Sequence, residues 1–137
     1  MSIVPWDGVY RIQNVAYPQQ KIGLQDAIVV GRHEDSVDPC IEWEIKAKSV
    51  GDNSKITIQS ESYNYVGADS EKVVYTTTPY EWNVSYREVG RWIIQDPTSG
   101  LLMYLPNSND GTEVKVTRDG AGEVSYWRFI PVRPPSN

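Results

Sequence analysis

Three short stretches of this chain repeat one pattern, in which apolar and polar residues alternate around a tryptophan. They are Glu42-Trp43-Glu44-Ile45, Glu81-Trp82-Asn83-Val84 and Tyr126-Trp127-Arg128-Phe129. An isoleucine followed by a glutamine precedes each of them, at Ile12-Gln13, Ile58-Gln59 and Ile94-Gln95. A repeat of this kind, with a spacing of about 40 residues, constrains the fold more strongly than any single motif does.

Alternation with a period of two is typical of strands with one buried face, so each tryptophan is expected in a half-buried strand. Turn-forming residues separate short runs that are rich in Val, Ile, Tyr and Thr. We therefore predict an all-β chain with four strands in each of three repeats, approximately 8–50, 55–89 and 91–132. This arrangement favours a single β-trefoil domain over residues 1–137, a six-stranded barrel capped by three hairpins, with a β-sandwich as the alternative.

The predicted strands define the loops in which function is expected. In the first repeat, strands at 21–24 and 27–30 are followed by a polar loop at 31–39, and in the second repeat a strand is expected over 63–67. The shared core should contain large apolar side chains, each contributing about 2–3 kcal/mol when fully buried. The candidates are Tyr10, Ile12, Trp43, Ile45, Ile56, Ile58, Trp82, Val84, Trp92, Ile94, Trp127 and Phe129.

The composition excludes several classes of partner. The chain carries 18 Asp and Glu against 13 Lys and Arg, which disfavours nucleic acid because phosphate binding needs a basic surface. No apolar run is long enough to cross a membrane, no N-terminal signal peptide is evident, and the single cysteine, Cys40, excludes an internal disulfide. The protein is thus expected to be cytoplasmic or released by a non-classical route, without a membrane partner.

The sequence lacks the usual arrangements for catalysis. His33 is the sole histidine and has no Gly-flanked nucleophile beside it, and Cys40 is expected to be a packed thiol. One Cys and one His do not form an ordinary zinc site, and the acidic stretch 34–38 lacks the spacing of a calcium loop. We predict no enzymatic activity, no cofactor and no metal, but a binding function in loops on a rigid barrel.

The chain resembles the fungal β-trefoil protease inhibitors of mushrooms, which include the mushroom serine protease inhibitors, the mycocypins and the cocaprins. The stretches that carry this resemblance are Gly8-Val9-Tyr10-Arg11-Ile12-Gln13-Asn14-Val15, Tyr65-Val66-Gly67-Ala68-Asp69, Glu81-Trp82-Asn83-Val84 and Tyr126-Trp127-Arg128-Phe129. A small acidic chain without disulfides is most similar to the cocaprins. That resemblance implies inhibition of papain-like cysteine proteases, with aspartic proteases as a second target.

The resemblance to the cocaprins implies that the connection between the second and third strands contacts a cysteine protease. The residues of this connection are Leu24, Gln25, Asp26 and Ala27. A resemblance to the mycocypins implies instead that the loops at 18–20 and 31–39 make the contact. No contact with an aspartic protease can be placed from the sequence.

A trypsin-like serine protease is the alternative target. Its specificity pocket is acidic, so an inhibitor must display an arginine or lysine on a stiff loop. Arg32 is the best placed, within the predicted polar loop, and Lys21 and Arg118 follow it.

A carbohydrate-binding lectin is the second alternative, because many β-trefoils bind sugars. The Gln-x-Trp repeat of ricin-type lectins is absent, since Ile41, Tyr80 and Ser125 stand two positions before the repeated tryptophans. Side chains suited to a sugar cluster at Tyr104, Asn107, Asn109 and Asp110, where a hairpin turn explains them equally well. A homodimer formed through an exposed strand edge is a further alternative.

Overall fold

The computed structural model describes residues 7–35, 40–48, 53–88, 90–118 and 122–133. Over these residues the chain forms twelve strands, as predicted, and one short 3₁₀ turn at Gly122–Ser125. The strands are β1 Gly8–Asn14, β2 Gln20–Gln25, β3 Ile28–His33, β4 Trp43–Ala47, β5 Asn53–Gln59, β6 Tyr65–Asp69, β7 Lys72–Thr76, β8 Trp82–Glu88, β9 Arg91–Gln95, β10 Leu102–Tyr104, β11 Lys115–Thr117 and β12 Trp127–Arg133. No helix in this part of the chain is long and apolar enough to span a membrane.

Six of the strands close an antiparallel barrel. Strand β1 pairs with β4, β4 with β5, β5 with β8, β8 with β9, β9 with β12, and β12 returns to β1. The other six strands form three hairpins, β2–β3, β6–β7 and β10–β11. Closure leaves the barrel strands without an unpaired edge. The β-trefoil prediction is confirmed, and the β-sandwich alternative is wrong.

The barrel encloses the predicted core. All twelve candidate side chains are buried, and they are joined by hairpin residues such as Ile22, Val66 and Met103. Aromatic rings meet edge to face, with a distance of 6.0 Å between the ring centroids of Trp92 and Phe129. Such contacts add to the free energy of burial and favour a single packing arrangement.

The three repeated tryptophans make the same hydrogen bond in each repeat. The indole Nε1 of Trp43 donates to the Ile22 carbonyl at 2.8 Å, and that of Trp82 donates to the Val66 carbonyl at 2.9 Å. The indole of Trp127 donates to the Met103 carbonyl at 3.0 Å. A buried indole N–H needs an acceptor, and here each acceptor lies on the first strand of a hairpin. The tryptophans therefore join each hairpin to the barrel.

A second hydrogen-bonding pattern is repeated directly after each isoleucine–glutamine pair. In each repeat the next residue is a buried polar side chain that accepts a hydrogen bond from a backbone amide of the following connection. Asn14 accepts from the Tyr17 amide at 3.0 Å and Ser60 from the Asn64 amide at 3.3 Å. Asp96 accepts from two successive amides, at 3.2 and 3.3 Å. These bonds give partly buried backbone amides an acceptor within the protein.

The glutamines close the same connections from outside. The side-chain amide of Gln13 donates to the Pro18 carbonyl at 2.8 Å, and that of Gln95 donates to the Gly100 carbonyl at 2.9 Å. Both bonds span five residues, which shows that the first and third repeats fold alike at this point.

Of the three buried acceptors Asn14, Ser60 and Asp96, Asp96 is the one that carries a charge. Burial alone would raise the pKa of this carboxyl, but hydrogen bonds from Ser99, Tyr80 and the backbone amides outweigh burial. The pKa of Asp96 is therefore held below its ordinary value, so the group is a carboxylate at neutral pH.

Two of the differences from the predicted strand boundaries change which side chains are exposed. Strand β3 continues to His33, where the sequence predicts a loop from Gly31, because Gly31, Arg32 and His33 stay paired with β2. Strand β6 begins at Tyr65, and Tyr63 lies in the preceding turn. Both differences move side chains between the interior and the surface, and both matter for function.

Replacing Trp82 by phenylalanine tests the indole–carbonyl bond. The change leaves the Val66 carbonyl buried without its donor and leaves space unfilled in the core. We expect the free energy of unfolding to fall by at least about 2 kcal/mol in denaturant titrations. Trp43→Phe and Trp127→Phe should cost the same within about 1 kcal/mol, since the three bonds are equivalent. A Trp82→Phe protein as stable as the original would contradict this role.

Candidate functional site

The residues predicted to contact a cysteine protease lie at the tip of the β2–β3 hairpin. Gln25 pairs with Ile28, so the turn consists of Asp26 and Ala27, with φ angles of 53° and 62°. Two successive residues with positive φ form a two-residue turn whose twist matches that of the flanking strands. Gln25, Asp26 and Ala27 are exposed, and Leu24 is half-buried against the core. Their contact with a protease stays a prediction.

The prediction that Arg32 is displayed on a loop is wrong. Arg32 lies within β3 and is 8% exposed. Its Nε donates to Asp110 Oδ1 at 3.2 Å, and its Nη1 donates to the Leu24 carbonyl at 3.1 Å. The strand continues past Gly31, and this extension turns the guanidinium inward. Arg32 thus braces the hairpin and does not present a charge to a specificity pocket.

The other two basic candidates differ from each other. Lys21 is buried beside Glu34, with 3.6 Å between Nζ and Oε2, and burial, followed by the charge of Arg11, lowers the pKa of Lys21. The prediction of Lys21 as a displayed lysine is wrong, because its side chain is buried on β2. Arg118 follows β11 and is exposed, so its availability agrees with the prediction.

The expected sugar cluster is used to hold a loop. The Oδ1 atom of Asn107 accepts hydrogen bonds from the Asn109 amide and the Thr112 hydroxyl. The Oδ1 atom of Asp110 accepts from Arg32 and from the His33 amide, at 3.2 and 2.9 Å. The turn explanation therefore accounts for the oxygens of Asn107 and Asp110. Tyr104 is half-buried in β10.

The loops implied by the mycocypin resemblance are only partly open to a partner. Gln20 is fully buried, and neither polar atom of its amide has a hydrogen-bond partner within the described residues. Positions 36–39 of the second loop lie outside the described residues. Exposed side chains in these loops are Pro18, Gln19, Glu34 and Asp35.

His33 and Cys40, the side chains considered for catalysis, make no hydrogen bond to each other. His33 Nε2 lies 3.3 Å from the Ser108 carbonyl oxygen. Cys40 is exposed, so the prediction of a packed thiol is wrong, because β4 begins three residues later and leaves Cys40 in the open connection with a φ of 49°. Across the described ranges, no group of three or more His, Cys, Asp or Glu is arranged to hold a metal ion.

A different surface, centred on Tyr63, combines features of a binding site. Tyr63 is 75% exposed and has a φ of 67°, an uncommon conformation for a bulky residue. Its turn is closed by hydrogen bonds from the Tyr63 amide to the Ser60 carbonyl, at 3.0 Å, and from the Ser60 amide to the Asn64 carbonyl, at 2.8 Å. The Ser60 hydroxyl also lies 2.6 Å from the Tyr75 hydroxyl. The exposed ring is therefore carried by a well-held turn.

Two adjoining clefts flank this turn, and we call them together the Tyr63 groove. In the first, of about 280 Å³, Tyr63 stands beside Val9, Glu44 and Gln59. These three side chains are paired in register across β1, β4 and β5, so they form one row on the outer face of the barrel. The second cleft, of about 350 Å³, shares Glu42, Ser60 and Glu61 with the first and extends to Arg11, Leu24, Glu34, Cys40, Ile41 and Ser62.

The groove is acidic, and some of its polar side chains have no hydrogen-bond or ion-pair partner within the described residues. Arg11 bonds to Glu34 and, at 3.2 Å, to Glu42, and so neutralises part of the charge. Glu44, Glu61 and Gln59 make no side-chain hydrogen bond or ion pair within the described residues. They stand free to bond to a ligand beside the Tyr63 ring.

Sequence reasoning missed this groove because it placed Tyr63 inside a strand. The polar run Glu61-Ser62 before Tyr63 is a turn signal that could have separated the ring from the strand. The proximity of Glu44 and Gln59 could be found only from the register of β4 and β5.

Comparison with known proteins identifies the fold. No family model and no curated protein matches the chain. The Macrolepiota procera ricin B-like lectin, solved in complex with lactose, is 21% identical, with a TM-score of 0.77 over 93% of this chain and 98% of the lectin. The Rhizoctonia solani agglutinin is 22% identical, with a TM-score of 0.78 over 96% of this chain and 99% of the agglutinin.

A mosquitocidal holotoxin is also similar, with a TM-score of 0.81 and 14% identity over 95% of this chain. This chain spans only 18% of the toxin's length. At such identities the similarity shows the fold alone, a β-trefoil also found in lectins. The comparisons give no support to the expected identity as a protease inhibitor.

The buried role of Arg32 leads to a test by mutation. Arg32→Ala removes the hydrogen bonds to Asp110 and to the Leu24 carbonyl, and leaves that carbonyl without this donor. We expect the free energy of unfolding to fall by about 1–3 kcal/mol. Arg118→Ala, at an exposed position, should change it by less than about 0.5 kcal/mol. Trypsin inhibition that is lost in a fully folded Arg32→Ala protein would contradict the bracing role.

Proposed function

We propose that this protein is a carbohydrate-binding lectin and that the Tyr63 groove holds a neutral saccharide. The observation that carries the proposal is an exposed Tyr63 ring beside the uncommitted side chains of Glu44, Gln59 and Glu61. A pyranose has an apolar face of C–H groups and a rim of hydroxyls. The ring can stack on that face, while carboxylates accept hydrogen bonds from the hydroxyls and the amide can donate or accept them.

The geometry of the groove supports binding by a preformed site. The Ser60–Asn64 turn holds the backbone of Tyr63, and paired strands hold Glu44 and Gln59. A ligand therefore orders few groups when it binds, which reduces the entropy cost. The negative charge of the groove favours a neutral sugar over an acidic one.

The similarity to lectins supports the class of ligand but not the position of the site. The Macrolepiota procera lectin was solved with lactose. The Gln-x-Trp residues of ricin-type lectins are replaced here, with Ile41, Tyr80 and Ser125 at the glutamine positions. For this reason we place the site in the Tyr63 groove, which is built from residues of this chain alone.

Tyr63→Ala is the direct test. A glycan array would first identify a neutral ligand, and isothermal titration would then measure its affinity. We expect Tyr63→Ala to weaken binding by at least about tenfold, because the stacking surface is lost. Tyr63→Phe keeps the ring and should retain most of the affinity, and both variants should unfold at the temperature of the original protein.

Further variants test whether the glycan binds in the Tyr63 groove. Gln59→Ala and Glu44→Gln should each weaken the affinity for the same ligand, since both side chains line the cleft beside Tyr63. Full affinity in Tyr63→Ala would move the site elsewhere, and a protein that binds no glycan would overturn the lectin proposal.

Inhibition of papain-like cysteine proteases is the second candidate. The observation that favours it is the two-residue turn Asp26–Ala27, which is exposed at the tip of a hairpin braced by Arg32. Ile28, beside the turn, is 47% exposed and could enter an apolar pocket. A stiff projection of this kind can fill a cleft without presenting a cleavable peptide. Aspartic proteases are a further target that follows only from the resemblance.

A double change at the tip tests this candidate. Gln25→Ala with Asp26→Gly removes both side chains and keeps a residue that tolerates positive φ at position 26. We expect inhibition of papain to weaken at least about tenfold, with no loss of thermal stability. Residual papain activity is measured against rising amounts of protein, with trypsin and pepsin in parallel. A wild-type protein that leaves all three proteases active would remove this candidate and leave the lectin.

A further inference from the structure

A cleft elsewhere on the barrel is basic, whereas the Tyr63 groove is acidic. It has a volume of about 450 Å³ and opens across β5, β8 and β9. We call it the Lys55 cleft. Its lining residues are Lys48, Asn53, Ser54, Lys55, Asn83, Val84, Ser85 and Gln95.

Strand register places its polar side chains in rows. Lys55 pairs with Asn83 across β5 and β8, and Asn83 pairs with Gln95 across β8 and β9. A second row pairs Asn53 with Ser85. The neighbouring positions Ile56, Val84 and Ile94 point into the core, so the rows face outward on a rigid sheet.

The cleft is rich in hydrogen-bond donors. It contains two lysines and no carboxylate among its described lining residues, although the chain as a whole carries a net charge of −5. Lys48 shares its charge with Glu81, at 3.0 Å. Lys55, Asn83 and Ser85 make no side-chain hydrogen bond or ion pair with the described residues. A local positive charge surrounded by free amide and hydroxyl groups suits an anion that also carries hydroxyls.

We propose that the Lys55 cleft binds an acidic sugar, a saccharide unit that bears a carboxylate or a sulfate. The Lys55 ammonium pairs with the acid group, and Asn83 and Ser85 bond to the hydroxyls. The proposal rests on the proposed lectin function and extends it to a second site, which differs from the Tyr63 groove in charge. The protein would then bind neutral and acidic parts of a glycan at separate surfaces.

Three probes with one common core test the proposal, namely lactose, sialyllactose and sulfated lactose. Isothermal titration should show that sialyllactose, sulfated lactose or both bind to a protein whose Tyr63 is replaced by alanine, and that lactose does not. Lys55→Gln should weaken the acidic probes by at least about tenfold, and added salt should weaken them further. The probe that binds more tightly identifies carboxylate or sulfate as the acid group.

Matched variants separate this site from the general charge of the protein. Lys115→Gln makes the same change on β11, outside the cleft, and should keep full affinity for the acidic probes. Asn83→Ala removes a donor without a change of charge and should weaken them as well. Equal losses in Lys55→Gln and Lys115→Gln would overturn the proposal, because they would reflect net charge alone.

The remaining outcomes distinguish the two proposals. If neutral glycans bind through Tyr63 and neither acidic probe binds, the Lys55 proposal fails and the lectin proposal stands. If the acidic probes bind but depend on Tyr63 and not on Lys55, the acidic sugar shares the Tyr63 groove and the second site is overturned. If no glycan binds at all, both proposals fail.

Discussion

The indole–carbonyl hydrogen bond is the interaction on which the rest of the structure depends. A tryptophan adds a large apolar side chain to the core, but its buried N–H must find an acceptor. Trp43, Trp82 and Trp127 find it on Ile22, Val66 and Met103, in strands that lie outside the barrel ring. Each hairpin is therefore attached by a directional bond as well as by apolar contact. Threefold repetition of this bond gives the trefoil its form.

The ends of the first strands show how a degenerate repeat can keep one structure with different residues. Each connection needs a buried acceptor for its backbone amides, and an amide, a hydroxyl and a carboxylate supply it at Asn14, Ser60 and Asp96. The carboxylate stays charged in the interior because several donors surround it. The geometry of the acceptor is thus preserved while its chemistry changes, which explains why the repeat is weak at the level of residue identity.

Strand β5 connects the two proposed binding surfaces. Its inward residues Ile56 and Ile58 are fully buried, whereas Lys55 and Gln59 face outward. Those outward positions are roughly 13 Å apart along the strand, so a basic cleft and an acidic groove occupy neighbouring parts of one rigid wall. The core does not restrict the outward residues, which is why surfaces of opposite charge can arise on the same barrel.

The sequence by itself determined the strands, the threefold repeat and the core, because burial of Trp43 or Ile94 requires apolar residues at fixed alternation. The tertiary structure alone decided which polar side chains are available. Arg32 is buried because β3 stays paired with β2 through His33. Tyr63 is exposed because the turn before β6 gives it a positive φ. Glu44 and Gln59, fifteen positions apart in the chain, become neighbours only through the register of two strands. Surface chemistry depends on register and turn geometry, and neither is written in the local pattern of apolar and polar residues.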